Sequence, residues 1–308
     1  GLRVLCDFVP NHCYYWNEVF QEALLSHEGK HRDWFFFPKE DSDEYISFLN
    51  LPDLPKFNLK NKKAATYMIS KAVRLAEMGV DGFRIDHALG QPFSFLSSLR
   101  QALKNVRNDI VVFGEVWSES ISEDLYGQLY FKTPNRRDEL MTAIKNFSRK
   151  VLPFFKDVEY GDSNDTENIV VSQEHIQTDY VDVLDGVLDF TYQGILLDEV
   201  RAGRRIKENY ALRRKLIEHF KNYTFDFKLV LFLDNHDTDR FLFECNNDVS
   251  LLKEAIELTQ TLNRPFSVLY GTEQLMTTET SIFGVEDYAD LRVRQCMDWS
   301  LIPANILN

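Results

Sequence analysis

Residues Lys62–Asp86, KKAATYMISKAVRLAEMGVDGFRID, decide the fold. Met68, Ile69, Ala72, Val73 and Ala76 recur at spacings of one, three and four, the period of an amphipathic helix over Lys62–Glu77. Gly79 follows as a terminator. Residues 80–85 then read as a buried strand that delivers Asp86 at its end.

Working outward, the same unit repeats. Residues 93–105 carry a helical stripe of Phe95, Leu96, Leu99 and Leu103, and the apolar run 110–113 delivers Glu115. Residues 210–223 are helical in period, and 229–233 is a strand leading into Asp234, Asn235, His236 and Asp237. A helix over 251–262 precedes a strand over 266–270 that closes on Gly271, and 3–8 and 187–190 complete six strands. Near-continuously apolar strands alternating with helices imply a parallel sheet covered by helices. Neither glycine-rich phosphate motif of a doubly wound sheet occurs. Instead Asp7, Asp86, Glu115 and Asp237 stand just past separate strand ends, where a (β/α)8 barrel gathers its chemistry at one mouth. The expected architecture is therefore α/β, a (β/α)8 barrel.

Two stretches are too long for ordinary connections. Residues 13–60 carry Tyr14, Tyr15, Trp16, Trp34, Phe35, Phe36 and Phe37, and read as a small inserted subdomain. Residues 126–184 form a second insertion, with a helix expected over 140–155 and an acidic turn over 157–168. The barrel itself takes 1–12 and 61–308.

The 308 residues are 44% apolar, ample for a large core, and carry a formal charge of −13, which argues against nucleic acid or an anionic membrane as a partner. No apolar run approaches the roughly 20 residues that span a bilayer. Cys6, Cys13, Cys245 and Cys296 form no metal-ligand spacing and no disulfide scaffold, and unpaired thiols suit a reducing, cytoplasmic location. The first residue is Gly and a strand begins almost at once, so the chain reads as part of a longer protein, and a lost signal peptide stays open.

Carboxylates gathered at one mouth suit acetal cleavage. That reaction needs a proton donor for the leaving oxygen and an anion on the opposite side of the anomeric carbon. Four segments then resemble the signatures of the α-amylase family, glycoside hydrolase family 13. They are Val4-Leu5-Cys6-Asp7-Phe8-Val9-Pro10-Asn11-His12, Gly82-Phe83-Arg84-Ile85-Asp86, Phe113-Gly114-Glu115-Val116-Trp117 and Phe232-Leu233-Asp234-Asn235-His236-Asp237, in the family's order. The resemblance implies that Asp86 is a nucleophile, Glu115 the acid/base and Asp237 a third carboxylate that binds sugar hydroxyls. It implies that Arg84 orients Asp86, that His12 and His236 contact the same sugar, and that Asp7 and Asn11 support the site from below. Trp117 reads equally as a sugar platform or as core.

The same resemblance makes this an incomplete barrel, its third to eighth strands present and its remaining strands supplied by the rest of the native chain. Leu54-Pro55-Lys56-Phe57-Asn58 resembles the neopullulanase and cyclomaltodextrinase form of an auxiliary signature, where many α-amylases place a calcium-binding Asp. No cofactor is expected; if calcium is bound, Asn11 and Asp53 are its candidate oxygens. Residues 291–299 resemble the loop after the eighth strand. After Asp86, Leu89 and Gly90 lack the leaving-group-side pair that many members carry.

The implied activity is retaining hydrolysis of α-1,4-glucans, maltooligosaccharides or cyclodextrins. A transglycosidase, an α-glucosidase or a non-catalytic binding subunit are the alternatives, and the sequence leaves the oligomeric state open. Asp234 and Asp239 read as solvated loop charges, His87 as a packing residue, and His27, His31, His175 and His219 as surface positions.

Overall fold

The computed structural model describes residues 1–38, 43–48, 51–117, 173–283 and 289–301. The expected helix at 140–155 and turn at 157–168 lie outside the described residues. The chain divides into two compact units, Gly1–Val187 and Leu188–Asn308.

In the first unit, β1 (Leu5–Phe8), β2 (Gly82–Ile85), β3 (Val111–Gly114) and β4 (Gly186–Leu188, which runs across the division) pair in chain order, all parallel. Register sets Asp7 beside Arg84, Arg84 beside Phe113, and Ile85 beside Gly114. Side chains alternate between the two faces of a strand, so Phe83 and Ile85 share one face of β2 and Arg84 points to the other. Phe83, Ile85 and Val112 are fully buried.

The helix α1 (Glu18–Leu25) belongs to the 13–60 excursion. Next in the chain, α2 (Lys62–Glu77) starts at Asn61, whose side chain accepts from Lys63 N and Ala64 N, a satisfied N-cap. It ends at Gly79, where φ is 107° and a Cβ would be strained. The helix α3 (Phe93–Val106) lies against α2 and buries Phe95, Leu96, Leu99 and Leu103, the stripe expected from the sequence. Asp185, just before β4, ties helix to sheet: its carboxylate accepts from Val112 N at 2.9 Å and Arg100 Nε at 2.8 Å, and lies 2.9 Å from Lys104 Nζ.

The 13–60 stretch builds its own aromatic cluster around the fully buried Phe20, with Phe35 and Tyr45 each 4.9 Å away, edge to face. It is pinned to the end of β1 by Cys13 N donating to Pro55 O and Phe57 N donating to Asn11 O. The short α4 (Gln173–Thr178) precedes β4.

In the second unit, α5 (Phe190–Arg201) packs on α6 (Tyr210–Phe220) and on β5 (Lys228–Phe232). A strand over 187–190 was expected, yet Phe190 already opens α5. Asp189 caps that helix by accepting from Tyr192 N at 3.0 Å, so the local hydrogen bond overrides the β preference of Phe190 and Thr191. After α7 (Phe241–Glu244) comes α8 (Val249–Thr261), capped by Asp248; β6 (Phe266–Ser267) pairs parallel with β5 and is shorter than the expected 266–270. Parallel strands separated by helices bear out the α/β class, with the strand–helix alternation of a (β/α)8 barrel.

Three surface expectations are corrected. His219 is 3% exposed, its Nε2 within 2.8–3.0 Å of both oxygens of the fully buried Asp189. Asp234 is buried and accepts from Phe241 N at 2.7 Å, and Asp239 is buried and accepts from Ser281 Oγ and Ile282 N. In each case the partner that satisfies the buried carboxylate comes from a helix or loop further along the chain. His31 is half-buried, 2.8 Å from Glu22, and the side chain of His175 lies outside the described residues. The four cysteines are free, and burial pushes the thiols of Cys13 and Cys245 up to about 12. Among the described residues, no helix is long and apolar enough to cross a membrane.

Candidate functional site

In the first unit the site is organised by one guanidinium. Arg84 Nη1 donates to Asp7 Oδ1 at 2.7 Å and to Asp86 Oδ1 at 2.6 Å, while Nη2 stands 2.8 Å from Glu115 Oε1. The strand periodicity explains this: Arg84 and Asp86 are two residues apart on one face of β2, and Asp7 is Arg84's register partner on β1. Glu115 follows β3 directly and is buried. Asp86 and Glu115 meet the two terminal nitrogens of one planar group, so their nearest oxygens are no more than about 8 Å apart. Burial opposes the Arg84 charge, but Glu115, Asp7 and Asp86 together outweigh it and hold the guanidinium above its ordinary value.

Glu115 is fixed a second time. The turn after Asp86 places His87 in the left-handed region (φ 42°), from where its N–H donates to Glu115 Oε2 at 3.1 Å, and Ala88 N donates to Glu115 O at 2.8 Å. The His87 ring packs on Phe48 at 4.6 Å, as a packing residue would. Phe48 is also stacked on His12 at 4.5 Å. Burial first, and Lys56 second, lower His12 to about 4, so its ring is neutral near pH 7. Its Nδ1 faces Asn11 Nδ2 at 3.3 Å, which makes Nδ1 the acceptor and leaves the ring proton on Nε2.

Gly90 and Gly114 are required by space. A Cβ at Gly90 would stand 2.6 Å from Asn11 Oδ1, and one at Gly114 2.7 Å from Leu184 Cδ1. Leu89 is buried, so neither Leu89 nor Gly90 presents a side chain to a leaving group. Trp117 is 43% exposed, which places its ring at the surface rather than in the core.

The calcium candidates do not come together. Asn11 is fully buried, and its Oδ1 accepts from Lys56 Nζ and from Gln91 Nε2; Asp53 is exposed, and its backbone oxygen accepts from Tyr15 N. Calcium takes six to eight oxygens, commonly with carboxylates among them. Here a neutral amide oxygen already carries an amine, and among the described residues no group of three His, Cys, Asp or Glu could hold a metal. This donor set does not fit calcium.

In the second unit Asp237 follows β5 and is clamped from two sides. His236 Nε2 lies 3.0 Å from Oδ2, and Arg294 Nη2 donates to Oδ1 at 2.6 Å while its Nε donates to His236 O at 3.0 Å. Partial burial raises the Asp237 carboxyl, but His236 and Arg294 outweigh it and hold it below the usual carboxylate value. Arg294 was not singled out in the sequence; its place four residues after Asp290, which it pairs at 3.1 Å, was the available signal.

The family model for the alpha-amylase catalytic domain matches residues 1–301. The chain is 29% identical over 276 residues to Alpha-amylase 2 of Dictyoglomus thermophilum, covering 89% of this chain and 38% of that sequence. It is 24% identical over 307 residues to the intracellular maltogenic amylase of Bacillus subtilis, covering 97% of this chain and 41% of that one. The chain thus spans about two fifths of the curated relatives it matches. The ligand-free cyclic α-maltosyl-(1→6)-maltose hydrolase of Arthrobacter globiformis shares the fold, with a TM-score of 0.65 at 19% identity, over 97% of this chain and 55% of that one. With four signature segments at strand ends and a catalytic-domain match along nearly its whole length, this chain belongs to the α-amylase family.

Proposed function

We propose that the full-length protein is a retaining glycoside hydrolase acting on α-1,4-linked glucans, maltooligosaccharides or cyclodextrins, and that Asp86 and Glu115 are its reacting pair. The observation that carries this reading is the sharing of the Arg84 guanidinium by these two carboxyl groups. In the first half-reaction an Asp86 oxygen attacks the anomeric carbon while protonated Glu115 gives its proton to the glycosidic oxygen, so the C–O bond breaks and the shortened glucan leaves. In the second half, Glu115 takes a proton from water, the water oxygen attacks the same carbon, and Asp86 departs as carboxylate.

Arg84 keeps Asp86 ionised and in line. Glu115 is buried and its oxygens are met by Arg84 and by the His87 N–H, which fixes its direction. His12, neutral with its proton on Nε2, is suited to donate to a sugar oxygen. Asp237, its carboxyl held below the usual value by His236 and Arg294, is suited to accept from sugar hydroxyls, and the exposed Trp117 ring offers an apolar face for stacking. The reading names no cofactor.

The test is turnover of maltotriose, β-cyclodextrin, pullulan and starch by the full-length protein, with products sized, beside Asp86→Asn and Glu115→Gln. Each variant is expected to lose at least about 10²–10⁴-fold in rate. Near-wild-type rates in either would overturn the reading.

A further inference from the structure

The nitrogen of Lys56 joins three segments. The residue is 6% exposed, and Nζ donates to Asn11 Oδ1, at the end of β1, and to Gly90 O at 2.9 Å, in the turn after Asp86; Lys56 itself lies where the 13–60 excursion returns to the sheet. Both acceptors are neutral oxygens. An amine with up to three N–H donors is matched to such a pair, whereas calcium takes six to eight oxygens, of which these are two.

We propose that the Lys56 amine is a tether, carried by the chain itself, between Asn11 and the turn at Gly90, and that Lys56 is a positioning residue for the Asp86–Glu115 pair. The path is short. Gly90 N donates to His87 O at 3.1 Å, and His87 N donates to Glu115 Oε2 at 3.1 Å, so the turn that Lys56 holds is the turn that aims Glu115. The same nitrogen also fixes Asn11, whose Nδ2 orients His12. The titratable rings facing this cluster are His12 and His87. Burial draws Lys56 down to about 7, in keeping with an amine set among neutral oxygens. The catalytic part of this inference rests on the proposed reaction; the tether itself does not.

The test uses the full-length protein. Lys56→Ala is expected to lower kcat on maltotriose by about tenfold or more, with KM changed by no more than about threefold. Propylammonium, which replaces the missing side-chain atoms, restores part of kcat and raises the Tm of that variant while leaving wild type unchanged. Lys56→Met keeps the volume and covers the case in which the alanine variant does not fold. Wild-type kcat in either folded variant, or no response of Lys56→Ala to propylammonium in both rate and Tm, overturns the proposal. Terbium luminescence gives an arm independent of turnover: no emission that depends on Asn11 is expected from wild type, and emission abolished by Asn11→Ala would place a metal where we place the amine. If wild type turns over no glucan, the Tm and terbium results still decide the tether.

Discussion

Glu115 Oε1 lies 2.8 Å from Arg84 Nη2, and the opposite nitrogen of the same guanidinium donates to Asp86. One side chain on β2 therefore sets the spacing of two carboxyl groups that arrive from different strands. Removing it leaves the buried Glu115 and the mostly buried Asp86 without their shared cation, while Asp7 stays half exposed. Arg84→Met is expected to destabilise the fold by about 3–5 kcal/mol, as broken buried ion pairs do. Urea unfolding checks this, and a loss below about 1 kcal/mol would show that the cluster is hydrated instead.

Gly90→Ala tests the packing of the turn after Asp86. The added methyl would meet Asn11 Oδ1 at 2.6 Å and His87 Cδ2 at 2.7 Å. Overpacking of this kind costs about 1–3 kcal/mol, read as a lowered Tm. An unchanged Tm would mean that the turn shifts freely.

Arg294→Gln removes the guanidinium that donates to Asp237. With that support gone, Asp237 takes up a proton at higher pH, so the acidic limb of the rate profile moves toward neutrality. The expected rate loss at the optimum is about 10-fold or more, and it should worsen as pH falls. An acidic limb that stays in place would separate Asp237 from the rate.

Two buried carboxyls predict opposite responses of stability to pH. Burial raises Asp234 to about 6, so in the folded chain it binds its proton more tightly than in the unfolded one. Its contribution is present in acid and is lost as pH rises through about 6. Glu199 is lowered to about 2, chiefly by Arg204 against the opposing effect of burial, with Lys215 and Asn209 adding to it. Its contribution is present above the ordinary carboxyl value and is lost as pH falls. Raising the pH from 4 to 7 should therefore increase the Tm of Asp234→Asn relative to wild type, and deepen the deficit of Glu199→Gln.

Much of this was legible because periodicity reports burial. The stripe from Met68 to Ala76 and the run ending in Asp86 place α2, β2 and the nucleophile candidate without any contact map. Arg84's link to Asp86 followed from side chains two apart on one strand. What stayed hidden depends on partners distant in sequence. Asp189 as a helix cap turned an expected strand end into α5, and the same carboxylate drew His219 out of the surface. Lys56 read as part of a signature, but its burial against Asn11 and Gly90 is a meeting of residues 45 and 34 positions away. Arg294's grip on Asp237 spans 57 residues, and its i,i+4 pairing with Asp290 was the one local hint.

The central claim, that Asp86 and Glu115 are a nucleophile and its acid/base, is tested most directly by trapping the intermediate. The full-length Glu115→Gln protein is mixed with α-maltosyl fluoride, whose leaving group needs no acid, quenched, digested and mapped by mass spectrometry. We expect one maltosyl unit on the peptide that contains Asp86, absent in Asp86→Asn. Turnover of the fluoride with no adduct, or an adduct on another carboxylate, would contradict the account.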